Sequence, residues 1–80
     1  MFVITFRHFT REGKASSNKR FPPTALLTVA LDRLNQRYRH YERLGYPVRW
    51  NASQTAFVVE NKGKFYASYA VERLQNENDA

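Results

Sequence analysis

The stretch "PTALLTVALDRLNQRYRHYERLG", Pro23–Gly45, decides the fold. Leu27, Ala30, Leu31, Leu34, Tyr38 and Tyr41 recur at spacings of three and four, the interval at which side chains share one face of an α-helix. Proline suits a first helical turn, where the backbone N–H has no partner in any case. Gly45 stands where a left-handed C-terminal cap belongs, and Tyr46 and Pro47 close the turn. The spacing predicts one helix near residues 23–44, with a single apolar stripe that some other element must cover.

That element is a sheet. Upstream, "FVITFRHF" (residues 2–9) alternates and is rich in aromatic and β-branched residues, as a strand requires. Between it and the helix, "TREGKASSNKRFP" (residues 10–22) is polar and basic and reads as a long loop. Downstream come three short strands, "PVRWN" (47–51), "QTAFVVE" (54–60) and "KFYASYAVERL" (64–74). Asn51-Ala52-Ser53 marks the first turn between them, and Asn61-Lys62-Gly63 is a hairpin signal. The tail "QNENDA" (75–80) is polar and is expected to fray.

The expected architecture is therefore one α+β domain over residues 1–80, in the order β-α-β-β-β. A four-stranded, mainly antiparallel sheet carries the helix on one face. Strict alternation places Phe2, Ile4, Phe6, Trp50, Phe57, Val59, Phe65, Ala67, Tyr69 and Val71 under the helix. It leaves Thr5, Arg7, Arg49, Lys64, Tyr66 and Ser68 on the open face.

The formal net charge is +6 over 80 residues, and it is uneven. Residues 1–40 hold eight Lys/Arg against Glu12 and Asp32, whereas residues 41–80 hold five of each sign. Such a bias points to a polyanionic partner. There is no cysteine, which excludes disulfides and thiolate metal sites and fits a reducing compartment. No apolar run approaches the roughly 18 residues that span a bilayer, so a cytoplasmic protein with no membrane partner is expected.

Two basic groups stand out. Arg33, Arg37, Arg39 and Arg43 wrap the solvent half of the helix, with His40 among them. Cations near a helix C-terminus also serve the helix dipole, so this group does not require nucleic acid. Arg11, Lys14, Lys19 and Arg20 fill the long loop, where a flexible basic arm would reach phosphates by counterion release. Arg49 and Tyr66 extend the candidate set onto the open sheet face, where basic and aromatic groups stack bases in several RNA modules. "KGKFYASY", Lys62–Tyr69, partly echoes the RNA-recognition pattern at Lys62, Gly63, Tyr66 and Tyr69. Lys64 and Phe65 depart from it, and the second helix of that fold is missing.

No catalytic motif appears. Glycine-rich phosphate loops, the zinc-protease pattern and the calcium-loop pattern are absent. His8 and His40 alone make a poor metal site, and no cofactor is expected. A histidine pair could serve as acid and base in RNA cleavage at neutral pH, and the chain is similar in size and rough strand order to small bacterial ribonuclease toxins, which use Arg, Lys and Tyr around the scissile phosphate. It lacks their second helix and any residue-level motif.

The expectation is a small non-enzymatic basic module that contacts nucleic acid or a nucleoprotein complex through its helix face and loop. Two alternatives stand beside it. One is an inhibitor or adaptor of the phage and mobile-element kind that blocks a host nucleic-acid-processing complex through an acidic protein surface. The lesser one is a small ribonuclease toxin. Exposed sheet edges leave a homodimer open.

Overall fold

The computed structural model describes residues 1–10 and 12–74. The polar tail, residues 75–80, lies outside them. The elements are β1 (Phe2–His8), β2 (Lys19–Arg20), α1 (Leu27–Arg43), β3 (Val48–Trp50), β4 (Ala56–Asn61) and β5 (Lys64–Arg73). The sheet order is β2-β1-β5-β4-β3, and every neighbouring pair is antiparallel.

The α+β class stands, but the sheet has five strands rather than four. The basic loop contributes the fifth. It folds back so that Lys19 and Arg20 pair with Phe6 and Thr5. The pairing continues past β2. The Phe21 amide donates to the Ile4 carbonyl at 2.9 Å, and Phe2 and Thr24 exchange bonds at 2.7 and 2.8 Å. Pro22 and Pro23 interrupt this ladder without harm, because they lie on the outer edge where no further strand needs an N–H. The order is thus β-β-α-β-β-β.

The same pairing shortens the helix. Thr24 is held extended against Phe2, so α1 starts at Leu27 and the two prolines stand before it, not in its first turn. Leu26 is the N-cap and makes no side-chain capping bond, and the first turn contains no acidic residue. The C-terminal end is better served. The Gly45 amide donates to the Glu42 carbonyl at 3.0 Å and the Tyr46 amide to the Tyr41 carbonyl at 3.1 Å. With Gly45 at φ +86°, this is the paired bonding of a Schellman cap. Its usual apolar contact is present as the Tyr41–Tyr46 ring pair, with centroids 6.0 Å apart.

The core lies between α1 and one sheet face. Ile4, Leu34, Phe57, Val59, Ala67, Tyr41 and Tyr69 form one buried cluster. Phe6, Phe21, Tyr38, Trp50 and Val71 pack around it. Phe57 is stacked on Tyr69 with centroids 5.1 Å apart and meets Trp50 edge-on at 5.2 Å. Burying a side chain of this size is worth about 1.5–3 kcal/mol. Val3 is equally buried but stands outside this cluster, as its opposite parity on β1 requires. The β3–β4 turn is organised by Asn51, whose Oδ1 accepts the Thr55 and Ala56 amides at 2.9 and 3.2 Å.

One irregularity positions the rest. Val59 pairs with Ala67, but Glu60 pairs with Phe65. A single step on β4 thus corresponds to two on β5, and Tyr66 is the additional residue of a β-bulge.

The uncapped helix start generates the first prediction. Leu26→Asp supplies both the missing cap and the missing first-turn charge. It should raise the unfolding free energy by about 1 kcal/mol in urea denaturation. No gain would mean that the amides of the first turn are already satisfied.

Candidate functional site

Beyond a bulge, the alternation of a strand is shifted by one residue. Phe65 therefore shares a face with its partner Glu60, on the open side, and is 57% exposed. Tyr66 turns to the helix side, where its ring stacks on Tyr46 at 5.4 Å and approaches Tyr41 at 6.3 Å. Strict alternation had placed these two residues the other way round. The bulge is the physical reason for both corrections.

On the open face, Phe65 meets Phe9, their centroids 5.8 Å apart. Phe9 follows β1, and its amide donates to the Tyr66 carbonyl at 3.0 Å. Beside this pair, the registers define a row across four strands: Arg7, Ser68, Val58 and Arg49. The next row is Arg20, Thr5, Ala70 and Ala56. Three strand spacings separate Arg7 from Arg49, or about 14 Å between Cα atoms. Between the arginines the floor is made of small side chains. Thr5, Ser68, Val58 and Ala70 line a groove of about 250 Å³, together with Arg7 and Asn18. Arg7 donates from Nε to the Asn18 Oδ1, and Arg49 Nε lies 3.5 Å from Glu60 Oε1. The arginine of that ion pair is well exposed, so the pair is weak and can open for another anion.

The basic residues singled out in the sequence separate in space. Arg33 donates to the Pro22 carbonyl at 3.2 Å. The Arg37 guanidinium lies over the Phe21 ring, 5.0 Å from its centroid. Both arginines thus tie α1 to the edge segment that follows β2. Arg39 and Arg43 are exposed on the helix, away from the sheet. Lys19 shares the helix-side face with Phe6, whereas Arg20 shares the open face with Thr5. Lys14 is exposed in the loop, its amide held by Thr10 Oγ1 at 3.1 Å. Arg11 lies outside the described residues. Arg49 and Arg20 remain on the open face, and Arg7, Phe9 and Phe65 join them. The alternation of β1 signals Arg7 and Phe9, but no sequence pattern signals the bulge that delivers Phe65.

At the same end of the molecule, on the helix side, lies a tyrosine cluster. The Tyr41 and Tyr69 hydroxyls bond each other at 2.9 Å inside the core. His8 stands 6.0 Å from Tyr66, and His40 lies 5.5 Å from Tyr41. The two histidines thus lie beside different tyrosines of this stack. Burial, and then the bond to Tyr69, push the Tyr41 phenol well above the ordinary tyrosine range.

Among the described residues, no group of three His, Asp or Glu side chains is arranged to hold a metal ion. No helix among them is long and apolar enough to cross a membrane. No protein-family model, curated protein or solved structure matches the chain.

The Tyr41 shift has a pH consequence. Its folded-state pKa is raised, so the folded state keeps a proton that the unfolded chain loses above pH about 10. The contribution is fully present below that pH and is lost as pH rises toward the folded value. Unfolding free energy should therefore fall above pH 10, and the fall should be smaller in Tyr41→Phe. An identical alkaline profile in the variant would rule out Tyr41 as its source.

Proposed function

We propose that this protein binds single-stranded nucleic acid across the open face of its sheet, without making or breaking a bond. One observation carries the reading: the exposed Phe65, packed on the half-buried Phe9, stands next to a row in which Arg7 and Arg49 flank a floor of small side chains. Each part supplies what a single strand needs. Aromatic rings stack unpaired bases whatever their sequence, at about 1–3 kcal/mol per base. Arginines bind phosphates in bidentate fashion. Serine, alanine and threonine side chains let the strand approach the sheet closely.

A single strand is favoured over a duplex. A broad, shallow sheet face is no match for the major groove, which admits a helix or a two-stranded ribbon. Unstacked bases, by contrast, can lie flat on it. The net charge of +6 supports the same partner, because released counterions drive binding to any polyanion. Glu60 and Glu72 also lie on this face, opposite Phe65 and Val3. They limit the cationic part to the rows of Arg7, Arg20 and Arg49.

Fluorescence anisotropy of labelled single- and double-stranded DNA and RNA, titrated at several salt concentrations, tests the reading. Single strands should bind tighter than duplexes. Phe65→Ala should weaken binding about 5- to 150-fold with little change in salt slope. Arg7→Gln with Arg49→Gln should reduce the slope by about 1.4. Arg33→Gln with Arg37→Gln should lower stability and leave the slope alone. Affinities no tighter than about 10⁻⁴–10⁻⁶ M at physiological salt, with no preference for single strands, would overturn the proposal and turn the search toward an acidic protein partner.

A further inference from the structure

Around the bulged end, the β1–β2 loop and the β4–β5 turn stand apart and leave a cleft of about 600 Å³. Its walls are Phe9, Asn61, Lys62, Lys64, Phe65 and Tyr66. The volume lies within the ordinary range of small-ligand sites. Phe65 divides this cleft from a second one of about 380 Å³, in which Glu12 and Glu60 take the place of Lys62 and Tyr66. Lys62 therefore stands on one side of the Phe65 ring and Glu12 and Glu60 on the other, with Lys64 bordering both clefts.

The turn itself carries a second observation. Lys62 and Gly63 form a two-residue loop between the paired residues Asn61 and Lys64, with φ values of +52° and +80°. This is the signature of a type I′ hairpin turn, whose first position is best filled by asparagine, aspartate or glycine. A lysine there holds a conformation that β-carbon-bearing side chains adopt with strain. The strain places an ammonium group at the rim of the cleft, next to two exposed aromatic rings.

From this we infer that the cleft binds a single nucleotide, with its base against Phe65 and its phosphate on the Lys62 side. The inference rests on the single-strand reading and adds to it a discrete pocket at one end of the strand's path. Phe9 lines both the cleft and the groove on the open face, so a strand leaving the cleft passes directly onto the arginine row. Lys64 already has an interaction within the protein, which makes Lys62 the principal phosphate contact. The carboxylates beyond Phe65 exclude the phosphate from that side and set the orientation.

The test uses the full-length ¹⁵N-labelled chain, titrated with adenosine 5′-monophosphate and separately with inorganic phosphate. The nucleotide should shift the amides of Phe9 and of residues 61–66, and phosphate alone should not reproduce the pattern. Lys62→Asn should act in opposite directions on two readouts. Relief of the turn should raise the melting temperature by about 2–5 °C. Loss of the ammonium should weaken the nucleotide about threefold or more. Phe65→Leu, which keeps apolar volume without a ring, should weaken the nucleotide and spare the response to phosphate. The inference is overturned if Lys62→Asn leaves nucleotide affinity unchanged, if phosphate gives the same shifts, or if the nucleotide gives none. Oligonucleotide binding that persists in any of those cases leaves the single-strand reading standing. Nucleotide binding without oligonucleotide binding refutes that reading alone.

Discussion

Between Val59 and Glu60, β5 carries one residue more than β4 can pair, and that count sets the character of both faces at one end of the sheet. Without the additional residue, Phe65 would continue the series of Ala67 and Tyr69 toward the helix. Beyond the end of the core it would have little to pack against, because α1 ends at Arg43 and the chain turns away at Gly45. With it, Tyr66 takes the inward place and completes the stack with Tyr46 under the helix C-terminus. Phe65 is released to the open face beside Phe9. A locally unpaired ladder residue costs stability, and the Tyr66 contacts offset part of it. What the stack does not require is an exposed phenylalanine.

A second constraint acts at the sheet edge. An unpaired edge strand is a template for association, and this chain protects β1 by laying its own loop along it. The segment has few internal means of staying there, since two of its residues are prolines. Arg33 and Arg37 supply the anchor, one to the Pro22 carbonyl and one over the Phe21 ring. A cation over a partly buried ring is worth about 0.5–2 kcal/mol. The opposite edge is managed differently. β3 is only three residues long and carries a charged residue, Arg49, in its middle.

Much of this was legible in the sequence, for identifiable reasons. The helix and its cap followed from the spacing of Leu27 to Tyr41 and from Gly45, because periodicity and capping are local. The three later strands followed from alternation and turn residues, for the same reason. β2 was not legible. Lys19 and Arg20 carry no strand signal, and they pair only because β1 offers a free edge, which is a property of the assembled sheet. The helix start was misplaced on the same account: Thr24 is taken by a tertiary contact with Phe2, which overrides the preference of proline for a first turn. Of the proposed open-face site, alternation placed Arg7 and Arg49, whereas the sequence reading set the main contacts on the helix face and the loop. Arg33 and Arg37 looked like free cations because nothing local reveals the carbonyl and the ring that they serve. Phe65 and Tyr66 exchanged roles through a bulge that depends on the partner strand.

The geometry also bears on what the remaining arginines do. Arg39 and Arg43 project from the helix, and the row of Arg7 and Arg49 lies on the far face of the sheet. An extended strand lying in that row cannot reach the helix without wrapping around an edge of the sheet. Direct contact with both groups is therefore incompatible with a short bound strand. Distance does not remove their influence, however. At low salt the screening length is comparable to the thickness of the molecule: about 10 Å at 0.1 M and 30 Å at 0.01 M. Charges on the helix then add to the field that draws a polyanion in, and they act on the rate of encounter more than on the lifetime of the complex. On the proposed single-strand reading, five of the cations in the first half of the chain thus divide by position: contact would fall to Arg7 and Arg20 and steering to Arg39, while Arg33 and Arg37 anchor the edge segment.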